Sequence, residues 1–115
     1  MRNPNNPCIF CFTKKKEYLF ENQLAYATND TYPVSKFHSL IIPKRCVKNY
    51  FDLTSKEILA CNKLIKKLKK KIEKSDKSVK GFNIGTNSGK VAGQSINHCH
   101  IHLIPRRKND VKNPQ

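Results

Sequence analysis

No apolar run in this 115-residue chain approaches the ~18 residues that a membrane-crossing helix needs, which excludes such a helix by length. Acidic residues are scarce: 8 Asp plus Glu stand against 23 Lys plus Arg, for a formal charge of +15. That excess makes an anionic partner plausible, whether nucleotide, nucleic acid or membrane surface, and does not choose among them. The start, Met1 to Pro7, lacks the apolar stretch and small-residue cleavage site of a secretory signal, which points to a cytoplasmic protein. In a reducing compartment the five cysteines, an odd count, argue against a disulfide framework and leave metal binding or plain burial. There is no internal repeat, no interdomain linker and no P-loop pattern. The length suits one domain over residues 1–115, of which only 108–115 have the composition of a loose tail.

What is present reads as α+β. Thr54-Ser55-Lys56-Glu57 is a capping box, in which the threonine hydroxyl and the glutamate satisfy backbone amides left open at a helix start. The helix is predicted to run to about Lys74. Ile58, Cys61, Ile65, Leu68 and Ile72 recur at three and four residues and form one apolar stripe. Lys66-Lys67 and Lys69-Lys70-Lys71 then lie on a solvated face, a better account of the lysine run than a nucleic-acid footprint. Candidate strands are Tyr18 to Phe20, Leu24 to Thr28, Phe37 to Ile42, Phe82 to Thr86 and Asn97 to Ile104.

His98-Cys99-His100-Ile101-His102 is the segment that carries chemistry. On a strand its three imidazoles share one face while Cys99, Ile101 and Leu103 share the other. Buried imidazoles each need hydrogen-bond partners, so three on a core face would be a poor choice. The alternatives are a metal-binding trio or a nucleophilic histidine, which near neutral pH keeps an uncharged nitrogen lone pair. The segment just before it, Gly85 to Ser95, combines flexible backbone with amide and hydroxyl donors of the kind anionic oxygens require.

Ala92-Gly93-Gln94-Ser95 followed by His98-Cys99-His100-Ile101-His102-Leu103-Ile104-Pro105-Arg106 resembles the histidine-triad (HIT) family of nucleotide hydrolases and transferases. Asp30 to His38 and Leu40 to Arg45 fit in register, so the likeness covers nearly the whole chain. It implies an antiparallel sheet of about five strands with one main helix packed on it, and a homodimer. It also implies that His100 attacks the α-phosphate of a nucleotide to give a nucleotidyl-histidine that water cleaves. By the same match Ser95 and Gln94 contact the α-phosphate and leaving group, Asn87 orients a phosphate oxygen, and His102 contacts the phosphate. Asp30 binds the ribose hydroxyls and His38 supports the triad. Ile9 and Phe10 wall the nucleobase, a core role being the alternative for both. The run from Pro105 to Pro114 is more similar to dinucleoside polyphosphate hydrolases than to the phosphoramidase branch. Hydrolysis of adenylated amines is the runner-up, and a non-catalytic nucleotide or nucleic-acid binding module the alternative of another class.

Cys8-Ile9-Phe10-Cys11 has the spacing that lets two thiolates reach one tetrahedral metal, but alone it is half a site. In metal-bearing relatives the remaining ligands occupy the positions of Cys46 and His98. The resemblance thus implies a structural Cys3His zinc formed by Cys8, Cys11, Cys46 and His98. The alternative is three reduced thiols with packing roles.

Overall fold

The computed structural model describes residues 8–112, so the expectation drawn from Met1 to Pro7 and the last three residues of the tail lie outside the described residues. Five strands, β1 (Phe20–Glu21), β2 (Ala25–Asn29), β3 (Ser39–Pro43), β4 (Gly81–Gly85) and β5 (Ile101–Arg106), form one antiparallel sheet in the order β1-β2-β3-β5-β4. One helix, α1 (Ser55–Ser75), packs on it. The expected architecture, five antiparallel strands and one main helix, is therefore the one observed. Among the described residues no helix is long and apolar enough to cross a membrane.

The capping box forms as read: Thr54 Oγ1 accepts from Glu57 N at 3.1 Å and Glu57 Oε1 accepts from Thr54 N at 2.9 Å. The buried stripe consists of Ala60, Cys61, Leu64, Leu68 and Ile72. Ile58 and Ile65 flank it half-buried, because the sheet meets the helix one position further round than the isoleucines suggest. Period-2 alternation sorts the strands. Ala25, Ala27, Ile41, Ile101 and Leu103 face α1, while Tyr26, Leu40 and Ile42 face the other way, where Phe10 covers them. The histidines belong to this second face.

The last strand is shifted from its expected position. It begins at Ile101, not Asn97, and continues through Pro105 to Arg106. The ladder with β3 begins at the Ile41–Ile101 pair, and residues 98–100 ahead of it are held by other partners. Cys99 N instead donates to Val47 O at 2.8 Å, and Thr86 Oγ1 donates to His100 O at 2.7 Å. Pro105 is tolerated because its missing N–H falls on the side of β3, whose ladder with β5 has ended at Leu103.

The loop after β3 is tied to the start of α1 by Arg45. Its Nε and Nη2 donate to Glu57 Oε2 and Oε1 at 2.9 and 2.8 Å, and Glu57 is buried. The Arg45 guanidinium, aided by Thr54, lowers the Glu57 pKa from 4.5 to about 2. A carboxylate with a depressed pKa stabilises the fold above its unfolded value, and that contribution is lost as pH falls from 4.5 towards 2. Glu57→Gln keeps an acceptor for the cap but loses the charge, and is expected to cost about 2 kcal/mol in urea unfolding at pH 7. The gap to wild type should close across that acid window. A gap that stays constant down to pH 2 would show that the ion pair is not its source.

Candidate active site and metal centre

The hydrogen bonds of the four histidines assign their protons. His100 Nδ1 lies 2.8 Å from the carbonyl oxygen of His98, and a carbonyl can only accept, so Nδ1 carries the proton and Nε2 keeps its lone pair. The same reasoning applies to His98, whose Nε2 donates to Pro43 O at 2.8 Å and leaves Nδ1 bare. In His38, Nδ1 accepts from Val34 N at 3.0 Å, so Nε2–H is the donor. It reaches His102 Nδ1 at 2.9 Å and has Asp30 Oδ2 at 3.2 Å. His102 is thereby held with its proton on Nε2. One nitrogen with a lone pair and one N–H donor stand on adjacent rings, whose centroids are 5.3 Å apart.

Burial favours the neutral forms. It is the largest cause lowering the pKa of His38, His98 and His102 from the ordinary 6.5, opposed at His38 by the Asp30 carboxylate and helped there by Arg106. Positive charge on His100 or His38 acts in the same direction on His102.

These rings open on a cleft of about 310 Å³ lined by Ile9, Asp30, Tyr32, Asn87, Ser95 and both His100 and His102, among others. The volume suits a small ligand. Ile9 is exposed to it, and Phe10, which also lines it, is 6% exposed and packs 5.0 Å from the His100 ring. Asn87 extends over Gly93, where an added Cβ would come 3.4 Å from its Nδ2; the left-handed φ of 96° makes glycine the fitting residue there. Gln94 is used differently from what the resemblance implies. Its Nε2 donates to Lys48 O and Ile96 O, and its Oε1 accepts from Gly89 N. Both amide hydrogens close the loop and none remains for a phosphate. Asp30 Oδ1 accepts from Tyr32 N at 2.8 Å, so the carboxylate is oriented from both ends. The individual parts of Tyr32, Val34 and Thr86 are not assigned by the sequence, since an exposed ring, a backbone donor and a hydroxyl under a strand carry no signature of their own.

Beside this cleft Cys8, Cys11, Cys46 and His98 place four ligand atoms within 4.8 Å of one another. The bare Nδ1 of His98 lies 3.2 Å from Cys8 Sγ and 3.6 Å from Cys11 Sγ. Tetrahedral zinc with Zn–S near 2.3 Å and Zn–N near 2.0 Å sets ligand atoms about 3.5–3.8 Å apart, close to this spacing. Burial, and then the neighbouring sulfurs of Cys46 and Cys8, push the Cys11 thiol up to about 12. Cys11 therefore holds its proton unless a cation replaces it. Donor type, spacing and tautomer all fit a metal ion.

An antiparallel sheet that carries a relay of histidines with fixed tautomers, joined to a Cys3His cluster, defines an α+β protein of the histidine-cluster class. Residues 12–109 match the HIT domain, and the chain belongs to the HIT family. It is 37% identical over 108 residues to an uncharacterized HIT-like protein of Methanocaldococcus jannaschii, covering 90% of this chain and 81% of that one. It is 34% identical to the adenosine 5'-monophosphoramidase of Saccharomyces cerevisiae, covering 87% of this chain and 63% of the yeast protein. It is also 34% identical to an asymmetrical bis(5'-nucleosyl)-tetraphosphatase of Schizosaccharomyces pombe, covering 86% and 54%. Among solved structures, a HIT family protein from Bacillus anthracis superposes with a TM-score of 0.84 at 31% identity, covering 96% of this chain and 80% of that one. A zinc-bound histidine triad protein from Mycobacterium smegmatis superposes at 0.80 with 26% identity, covering 90% and 78%.

Proposed function

We propose that this chain hydrolyses a nucleoside phosphate linkage at the α-phosphate through a nucleotidyl-histidine, with dinucleoside polyphosphates as substrates. The observation that carries the reading is the bond from His100 Nδ1 to His98 O, which turns the lone pair of Nε2 towards the cleft. Nε2 attacks phosphorus and the bond to the leaving oxygen breaks. Charge that builds on the imidazole is stabilised by the His98 carbonyl, while His102 Nε2–H donates to the departing oxygen. Water then attacks phosphorus, the P–N bond breaks, and its electron pair returns to His100; the proton of the water passes to solvent. Ser95 and Asn87 line the same cleft as phosphate contacts, Asp30 binds the ribose and Ile9 the base. His38 acts by holding the proton of His102 in place. Cys8, Cys11, Cys46 and His98 would hold a structural zinc, which leaves no open position for substrate and supplies rigidity rather than Lewis acidity.

Adenosine phosphoramidates are the second reading, because the phosphoramidase and the tetraphosphatase among the relatives are equally similar at 34%. Offering diadenosine polyphosphate, an adenosine phosphoramidate and a short oligonucleotide to wild type and to His100→Ala tests all three partner classes. Turnover of a nucleotide by wild type alone supports the mechanism, and equal activity of the two proteins refutes it.

The homodimer belongs to this proposal. β4 is an edge strand, and the groove between it and α1 is apolar, with Leu59 and Ile84 about 60% exposed. An open edge of this kind pairs with its own copy across a two-fold axis. Sedimentation should show a dimer at micromolar concentration and a monomer for Ile84→Asp; wild type sedimenting only as a monomer refutes it.

A further inference from the structure

Beyond the histidines, the cleft face of the sheet continues along β5 through Ile104 to Arg106. The register with β4 gives three rungs on this face: His102 opposite Gly85, Ile104 opposite Asn83, and Arg106 opposite Gly81. His102 and Arg106 thus stand at the two ends of a lane about 13 Å long, four strand residues apart, with no side chain across from either. Neither glycine has a positive φ, and a Cβ built at either position meets nothing within 4 Å. Backbone conformation and packing therefore do not call for glycine at either position; what the glycines leave is open surface over the β4 backbone.

Arg106 is held over this lane by its Nε, which donates to Asn83 Oδ1 at 2.7 Å. Among the described residues it has no carboxylate partner. Its neighbour Arg107 differs, since Arg107 Nη2 is paired with Asp76 Oδ2 at 2.9 Å and serves the structure. An amide on Nε fixes the plane of the guanidinium without neutralising it, so the fork of Nη donors remains for an anion. The proposed nucleoside contacts, Ile9 and Asp30, lie in the cleft towards β2 and β3. The lane lies on the other side of His102 across the sheet, over β5 and β4.

We propose that Gly81, Asn83, Gly85 and Arg106 form a leaving-group subsite, in which Arg106 binds the phosphates beyond the α-phosphate of a nucleoside polyphosphate. The subsite rests on the nucleotide reading above and adds to it a cause of preference for polyphosphates over phosphoramidates, which carry no second phosphate.

The test measures affinity by calorimetry for AMP and for the α,β-methylene analogue of ATP, in wild type, Arg106→Ala, Arg106→Lys and Asn83→Ala. Arg106→Ala should weaken the analogue about 30-fold, the scale of a lost charge-assisted pair, and AMP less than about 2-fold. Arg106→Lys should recover part of the loss, since charge remains without the fork. Asn83→Ala, which releases Nε, should weaken only the analogue. If AMP binds wild type and Arg106→Ala changes both nucleotides equally or neither, the subsite is overturned and the nucleotide reading stands. If wild type binds neither nucleotide, the nucleotide reading fails and the subsite with it. An unchanged melting temperature of Arg106→Ala shows that its folding is intact.

Discussion

His100→Ala is expected to lower the hydrolytic rate by about 10⁴-fold or more, with nucleotide affinity changed only a few-fold. The size follows from the role. A missing nucleophile removes the covalent route entirely, and the remaining donors stabilise only a direct attack by water. Affinity should survive because the proposed contacts, Ile9, Asp30, Asn87 and Ser95, line the cleft independently of the imidazole. His102→Ala should lose less, since the donor it supplies helps the leaving group without making the bond to phosphorus. His38→Ala should fall between wild type and His102→Ala, because its effect reaches the substrate only through the 2.9 Å bond that fixes the His102 tautomer. A rapid-quench experiment that traps a nucleotidyl-enzyme in wild type and none in His100→Ala would establish the intermediate. A trapped intermediate of equal amount in both proteins would place the nucleophile elsewhere.

The local signals were read correctly where the forces are local. The Thr54 and Glu57 box needs only four consecutive residues, and it appears as expected with both reciprocal hydrogen bonds. Side-chain alternation is clear in the burial pattern from Ile101 to Arg106, whereas His98, Cys99 and His100 before it are all buried. What could not be read was where the chain goes after Pro43. That path decides that His98 and His100 stand before the strand, in a segment held by the carbonyls of Pro43 and Val47 and by the Thr86 hydroxyl. The proton positions had the same limit. Each depends on one backbone group whose direction the residue pattern does not give: the carbonyl of Pro43 from β3, the carbonyl of His98 two residues before His100, or the amide of Val34 four residues before His38. Gln94 shows the converse, a residue whose motif position suggested phosphate while its surroundings use both amide hydrogens to close a loop.

Removing the proposed zinc should be the largest perturbation to stability. Cys46→Ala leaves three ligands, and the segment Ile9–Phe12, whose Phe10 packs on the rings of His98 and His100, loses its anchor. Binding energy at a structural zinc is folding energy, so a loss of about 3 kcal/mol is expected, which lowers the melting temperature by roughly 10 °C. Cys46 is exposed while Cys11 is buried, so the two substitutions separate packing from ligation. Cys46→Ala removes a ligand with little change to the core, whereas Cys11→Ala does both and should be the worse. Activity should fall together with stability, because His98 serves both centres. Its Nδ1 faces the thiols while its carbonyl holds His100 Nδ1, so a His98 released from the cluster also releases the proposed nucleophile. A strong chelator should therefore reduce turnover with the same time course as metal release, and added zinc should restore both. Freshly purified protein with less than about a tenth of an equivalent of zinc, together with an unchanged melting temperature for Cys46→Ala, would show that the four residues are a packed thiol cluster instead.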